Sequence, residues 1–168
     1  FLFVGGSLKS WTLKIIDIGG AARPFVLSFG GGYLFLDSYF LRGDMSLMKK
    51  GDWVLKDDIF LGEIIEIGEG FAKLKSLGSL GGRSALRGGE NKDIVFEAVG
   101  YGGGELRAEL PASLSFKTGD PIWWGEDPQY IAGLVEEVRS RETSSVAEVI
   151  ITMPLKIERL SQVEVLMK

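Results

Sequence analysis

Lys50-Gly51-Asp52-Trp53-Val54-Leu55, followed after a polar turn by Leu61-Gly62-Glu63-Ile64-Ile65-Glu66-Ile67, has a second copy later in the chain. The second copy is Thr118-Gly119-Asp120-Pro121-Ile122-Trp123-Trp124 and then Ala132-Gly133-Leu134-Val135-Glu136-Glu137-Val138. In both, a Gly-Asp turn leads into a short apolar strand. A polar turn follows, then a small or apolar residue, glycine, and a strand that mixes acidic and apolar residues. From Gly51 to Gly119 is 68 residues, and the second copy carries three more residues between its Gly-Asp and its later glycine. Glycine at such a turn supplies a positive φ, and the Asp side chain can bond neighbouring backbone. Gly62 and Gly133, inside strand patterns, predict bulges or sharp bends. The competing reading is coincidence, since Gly-Asp pairs are common turns and a third occurs at Gly43-Asp44. The repeat predicts two similar β units, at 1–79 and 80–168, with the last strand free to return to the first unit.

The rest of the chain reads as β almost throughout. Runs rich in Val, Ile, Phe, Tyr and Trp recur every 8–12 residues between glycine-containing turns, the spacing of a sandwich or barrel. Alternation is clearest in Glu105–Leu110, where Leu106, Ala108 and Leu110 share one face. Other strands are predicted at Trp11–Ile18, Tyr33–Phe40, Trp53–Leu55, Leu61–Ile67, Ala72–Leu77, Ile94–Val99, Ile122–Trp124, Ile131–Arg139, Val146–Met153 and Val163–Met167. Gly102-Gly103-Gly104 reads as a hairpin tip. Helix is confined to a short candidate at Leu155–Gln162, after Pro154. The fold class is therefore all-β: two small related β-barrels with one short helix near the C-terminus.

Composition narrows the chemistry. The 168 residues contain no Cys and no His. Disulfides, thiolate metal sites and cysteine nucleophiles are excluded within them, as are Ser-His-Asp catalysis and most zinc sites. Glycine, at 24 residues, is about twice its ordinary share. Net charge is −4, with 9 basic and 9 acidic residues in 1–80 against 10 and 14 in 81–168, and no basic tract marks a nucleic-acid footprint. The most apolar region, Phe25–Leu41, is interrupted by Gly30–Gly32, Asp37 and Ser38 and does not read as a membrane helix. The chain starts at Phe1 without Met or a signal-peptide pattern, which leads to the expectation of a fragment of a longer protein.

Few residues invite a chemical role. Arg42-Gly43-Asp44 spells an adhesion tripeptide, but three residues carry almost no specificity. Gly81-Gly82-Arg83-Ser84 and Arg87-Gly88-Gly89 could present N–H groups to an anion, yet no helix follows, and a flexible connection between units is the stronger reading. Asp57-Asp58, Glu126-Asp127 and Glu136-Glu137 are paired carboxylates, the first two in polar turns. Ser46-Leu47-Met48-Lys49 has the Ser-x-x-Lys spacing without its supporting motifs. Trp123-Trp124 with Tyr130 is more informative. Adjacent strand residues face opposite sides, so one indole enters the core and the other points outward, to a partner surface or to internal packing. No catalytic residue, cofactor or metal site is assigned; Trp123, Trp124 and Tyr130 are the candidate partner surface.

The order of these features resembles MreC, the rod-shape-determining family, from about Trp11 to Lys168. The Gly-Asp turn and Leu61–Ile67 correspond to a family strand, and Phe71–Leu77 to the strand that follows. Gly100-Tyr101-Gly102-Gly103-Gly104 before Glu105–Pro111 is similar to the family's glycine hairpin. Gly119-Asp120 precedes Ala132–Val135, and Met153-Pro154 through Leu160-Ser161-Gln162-Val163-Glu164-Val165 resembles the family's closing proline, short helix and final L-x-x-V-x-V. The family's membrane anchor and coiled coil have no counterpart in these residues, and the segment Asp37–Met45 fits it only loosely. The resemblance implies a non-catalytic, extracytoplasmic scaffold of cell-wall elongation, membrane-anchored when full-length. It implies self-association as dimer or filament, and partners that include a class B penicillin-binding protein and other membrane proteins of the elongation complex. Two other readings compete. One is a β-barrel binding module of a periplasmic adaptor in an export system, which would be flanked by lipoyl-like or helical-hairpin segments. The other is a carboxylate-based glycan hydrolase, which requires two carboxylates converging in one pocket.

Overall fold

The computed structural model describes residues 15–16, 25–29, 32–36, 38–43, 45–160 and 162–166, the first three segments as backbone strands. The chain divides into two compact units, Phe1–Ser76 with Lys156–Lys168, and Leu77–Leu155. The first unit holds β1 (Ile15–Ile16), β2 (Phe25–Phe29), β3 (Gly32–Leu36), β4 (Ser38–Arg42), β5 (Trp53–Lys56), β6 (Ile59–Gly68) and β7 (Phe71–Ser76). The second holds β8 (Arg83–Gly88), β9 (Ile94–Gly102), β10 (Glu105–Pro111), β11 (Pro121–Trp124), β12 (Ile131–Ser140) and β13 (Val146–Thr152). The closing strand β14 (Gln162–Leu166) pairs Val165 with Val54 of β5, so it returns to the first unit.

The second unit is a closed, six-stranded antiparallel barrel. Its ring runs β8–β9–β10–β13–β12–β11 and back to β8 through Trp123↔Arg87. Closure leaves no strand edge. Leu86, Leu106, Ile122, Val135 and Ile151 are fully buried inside it. Leu106, Ala108 and Leu110 all point inward, as their alternation requires.

The first unit follows the same order with different bookends. The path is β1–β14–β5–β6–β7–β4. Strands β5, β6, β7 and β4 occupy the places of β11, β12, β13 and β10, while β14 takes the place of β8 and β1 that of β9. Among the described residues no pairing joins β4 to β1, so of the two expected barrels the structure shows one closed, and the first unit as a six-stranded antiparallel path. Strands β2 and β3 pair with each other as a separate hairpin. Most of the predicted strand Trp11–Ile18 lies outside the described residues.

The sequence repeat reappears bond for bond. Asp52 Oδ2 accepts the Lys49 N–H at 2.7 Å, and Asp120 Oδ2 accepts the Lys117 N–H at 2.8 Å. Gly51 N–H donates to Ile64 O and Gly119 N–H to Val135 O, both at 2.8 Å. The return bonds, Ile64 N–H to Asp52 O and Val135 N–H to Asp120 O, are both 2.9 Å. Each copy has a bulge in its first strand pair, at Val54/Leu55 and at Ile122/Trp123. Each has another where the longer strand meets the next, at Ile64/Glu66 and Val135/Glu137. The extra residues are Ile65 and Glu136, and each bulge bends its strand around the core. The two turns differ in burial, Asp52 being 1% exposed and Asp120 half-exposed. Asp52→Ala leaves a part-buried N–H unpaired and should cost about 1–3 kcal/mol. Asp120→Ala should cost under about 1 kcal/mol, since water replaces the lost acceptor. Urea unfolding of the two variants measures the difference.

Two expectations are corrected locally. The helix predicted at Leu155–Gln162 is a single 3-10 turn, Ile157–Arg159. Its sequence is too short to nucleate an α-helix, and buried Ile157 fixes it by packing. The glycine-rich connection after Leu77 is not a flexible linker, because Arg83–Gly88 forms β8 of the barrel. Only Leu86 and Gly88 of that strand are buried, so its apolar pattern was too sparse to read.

Candidate functional site

Strand β11 positions the candidate aromatics. It is held on both sides, by β12 and β8, so its side chains alternate strictly between barrel interior and exterior. Trp124 is the inward residue, 6% exposed, and its backbone N–H donates to Tyr130 O at 2.8 Å. Trp123 is the outward residue and is half-exposed. Tyr130 is half-buried at the end of the 125–130 turn. The three expected surface residues therefore separate: Trp124 belongs to the core, and Trp123 is the one presented outward.

Trp123 is held in place by neighbours on the β8–β9 side. The Lys92 ammonium lies 4.7 Å from the indole centroid and donates to Pro128 O at 2.8 Å. Arg87, directly across from Trp123 in register, donates from Nε to Gly125 O at 3.0 Å. Lys92 takes a left-handed backbone conformation, φ 58°, to reach this position. Sequence reasoning missed both cations because neither is near Trp123 in the chain. Beside Trp123 lies a groove of about 590 Å3, walled by Leu114, Phe116 and Pro121 and edged by Glu90 and Asp120. Phe116 also packs edge-on to Phe96, with centroids 6.0 Å apart.

The opposite stretch of the barrel exterior carries a ladder of charge. Arg107 Nε meets Glu105 at 2.6 Å and Arg107 Nη1 meets Glu148 at 3.6 Å. Arg139 meets Glu137 at 2.8 Å and Glu148 at 3.6 Å. The Tyr101 ring lies 4.1 Å from the Arg107 guanidinium carbon. The hydrogen bond from Arg139 lowers the Glu137 pKa, and the one to Glu105 raises that of Arg107. Ile150 lies in the same cross-strand row as Arg107 and Glu137 yet is only 4% exposed. The ladder is a solvent-facing brace, and each exposed pair within it is weak.

The remaining sequence candidates are dispersed. Asp57, Asp58 and Glu126 are exposed and Asp127 half-buried, all on turns. Asp127 accepts from the Gln129 side chain and backbone. Glu137 is committed to Arg139, while Glu136 sits exposed on its bulge. Ser46 and Lys49 are exposed on the turn before β5. The N–H groups of Gly81 and Gly82 donate to Gly100 O and Ser79 O, so that loop offers no anion cradle. Asp44 of the Arg-Gly-Asp tripeptide lies outside the described residues. Among the described residues no group of three His, Cys, Asp or Glu side chains is placed to hold a metal, and no helix is long and apolar enough to cross a membrane.

No protein-family model matches the chain, and no curated protein matches it in sequence. Solved structures do. MreC from Pseudomonas aeruginosa superposes with a TM-score of 0.74 at 19% identity, over 93% of this chain and 99% of that one. The fold is that of MreC. Listeria monocytogenes MreC matches with a TM-score of 0.68 at 17% identity, over 96% of this chain and 76% of its own. A third structure, described as the major periplasmic domain of the cell shape-determining filament MreC, gives 0.59 at 11% identity, over 96% and 98%. At 11–19% identity the likeness is one of fold.

Proposed function

We propose that the chain is a non-catalytic scaffold of bacterial cell-wall elongation and cell shape, organising peptidoglycan synthases through protein–protein contacts. It acts on the extracytoplasmic side, anchored to the membrane in the full-length protein. Its partners are a class B penicillin-binding protein and other membrane proteins of the elongation complex, and it self-associates. The observation that carries this reading is the MreC fold across 93% of the chain. A chain without His or Cys, whose turn carboxylates are mostly solvated, supports it from the side of chemistry. The test is to silence the gene in the source cell and follow cell width by microscopy, with affinity capture of a tagged copy from detergent-solubilised membranes. The expected result is widening and rounding of the cells, with the class B synthase recovered on the tagged protein. Unchanged shape together with no synthase in the eluate would contradict the proposal.

A further inference from the structure

Three ring side chains, Trp123, Phe116 and Pro121, wall the groove beside β11, and all three are half-buried. They make an open apolar trough of about 590 Å3, inside the usual range for small-ligand clefts, roughly 300–1,000 Å3. The charges around it cancel. Glu90 and Asp120 line it together with Lys117, and Lys92 stacks on the indole without lining the groove. With two carboxylates balanced by two ammonium groups, no net charge remains to recruit an ion or a charged peptide. Hydrogen-bonding capacity does remain. Among the described residues Glu90, Lys117 and Asp120 form no side-chain ion pair, and Asp120 commits only Oδ2, to the Lys117 N–H. Acceptors and donors thus surround the ring walls. The main wall is also preorganised, since Lys92 is tied to Pro128 O and holds the indole it stacks on. An occupant that matches is apolar on its face, polar on its rim and uncharged. A pyranose ring has that construction. Its C–H groups give a weakly positive face that packs on the negative face of an indole, and its hydroxyls bond carboxylates and ammonium groups at the edge. A peptide strand matches less well, because its backbone groups need partners and both neighbours of every barrel strand are already paired. A lipid chain would cover Glu90, Lys117 and Asp120 without bonding them.

We infer that the Trp123 groove binds an uncharged sugar: a pyranose ring of a glycan chain packs on Trp123, with its hydroxyls on Glu90, Lys117 and Asp120. The site goes beyond the scaffold proposal and stands without it.

The probes are triacetylchitotriose and cellotriose, both uncharged, each titrated to about 20 mM into the isotopically labelled 168-residue chain and followed by amide and indole NMR. A cationic chitosan trimer and an anionic trigalacturonate serve as charge controls, and a blocked Ala-Leu-Pro-Leu-Ala peptide as the uncharged peptide control. At least one uncharged trimer should give saturable shifts of the Trp123 indole N–H and of amides around Glu90 and 114–120. Its affinity should change less than about twofold between about 20 mM and about 500 mM salt, because no net charge attracts it. Trp123→Ala, at a half-exposed position where the fold survives, should weaken binding about tenfold, and Trp123→Tyr should keep most of it. Glu90→Ala, on an exposed turn, should weaken it about fivefold through a lost hydrogen bond. No saturable shifts with either uncharged trimer, shifts away from the groove, or unchanged affinity in Trp123→Ala would overturn the inference. So would tighter binding of a charged trimer, or of the peptide, than of both uncharged sugars. The titration uses the isolated chain, so its failure leaves the scaffold proposal standing, and unchanged cell shape on silencing the gene leaves the sugar site standing.

Discussion

Gly62→Ala should be the most damaging single-methyl change in the first unit, lowering stability by about 3–5 kcal/mol. A Cβ at position 62 would sit 2.1 Å from Lys75 O and 2.9 Å from Ser76 Cα. Both are backbone atoms of the paired strand β7, so no side chain can swing away. The backbone adds to the cost, since φ is 154° there, a conformation L-residues rarely adopt. The matching change in the second unit, Gly133→Ala, should cost less, about 2–3 kcal/mol. Its nearest neighbour, 2.6 Å away, is the Ile151 Cγ2 methyl, with Thr152 O at 2.9 Å. Urea titration of both variants gives the ranking. Equal stability of Gly62→Ala and the parent would show that β6 and β7 do not approach as described.

The second large effect separates two adjacent residues. Trp124→Ala should destabilise by about 3–5 kcal/mol, because the indole fills the closed barrel at 6% exposure. Trp123→Ala should cost about 1 kcal/mol, because that indole is half-exposed and loses chiefly one cation–π contact. Thermal unfolding at matched concentration reads both, with the near-ultraviolet spectrum reporting whether Trp124 keeps a rigid environment. Comparable losses from the two substitutions would mean that β11 is not held flat between β8 and β12.

These cases also show which features the sequence made legible. The Gly-Asp turns were readable because a short-range bond between an Asp side chain and a nearby N–H leaves a fixed local signature, found at Asp52 and again at Asp120. Gly62 and Gly133 stood out for a similar reason, as glycines inside strands. The Gly102-Gly103-Gly104 tip was legible because all three take positive φ in the β9–β10 hairpin. Strand β8 was hidden because Arg83, Ala85 and Arg87 on its outward row and Ser84 and Gly88 beside Leu86 on the other make no apolar run, and its pairing partners lie on β9 and on distant β11. Gly100 carries a related hidden constraint. A Cβ there would lie 2.1 Å from Ser79 O, where the chain entering β8 crosses β9, and nothing local in the sequence marks that approach. For the candidate site, strand alternation required one outward indole but could not say which. The outward facing of Trp123 follows from Ile122 being inside the closed barrel, a tertiary feature that sets the phase of the alternation. The groove depends on Glu90, Leu114 and Phe116, which come beside Trp123 only once the barrel closes.

We propose that this chain works by contact and performs no chemistry. That is tested most directly by replacing Asp57, Asp58, Glu126 and Asp127 together with their amides in the full-length protein. The variant is then expressed as the sole copy in cells whose own gene is silenced, and cell width is measured. The account predicts that a folded quadruple variant supports normal cell shape. Loss of shape with the variant folded, abundant and correctly placed would contradict it.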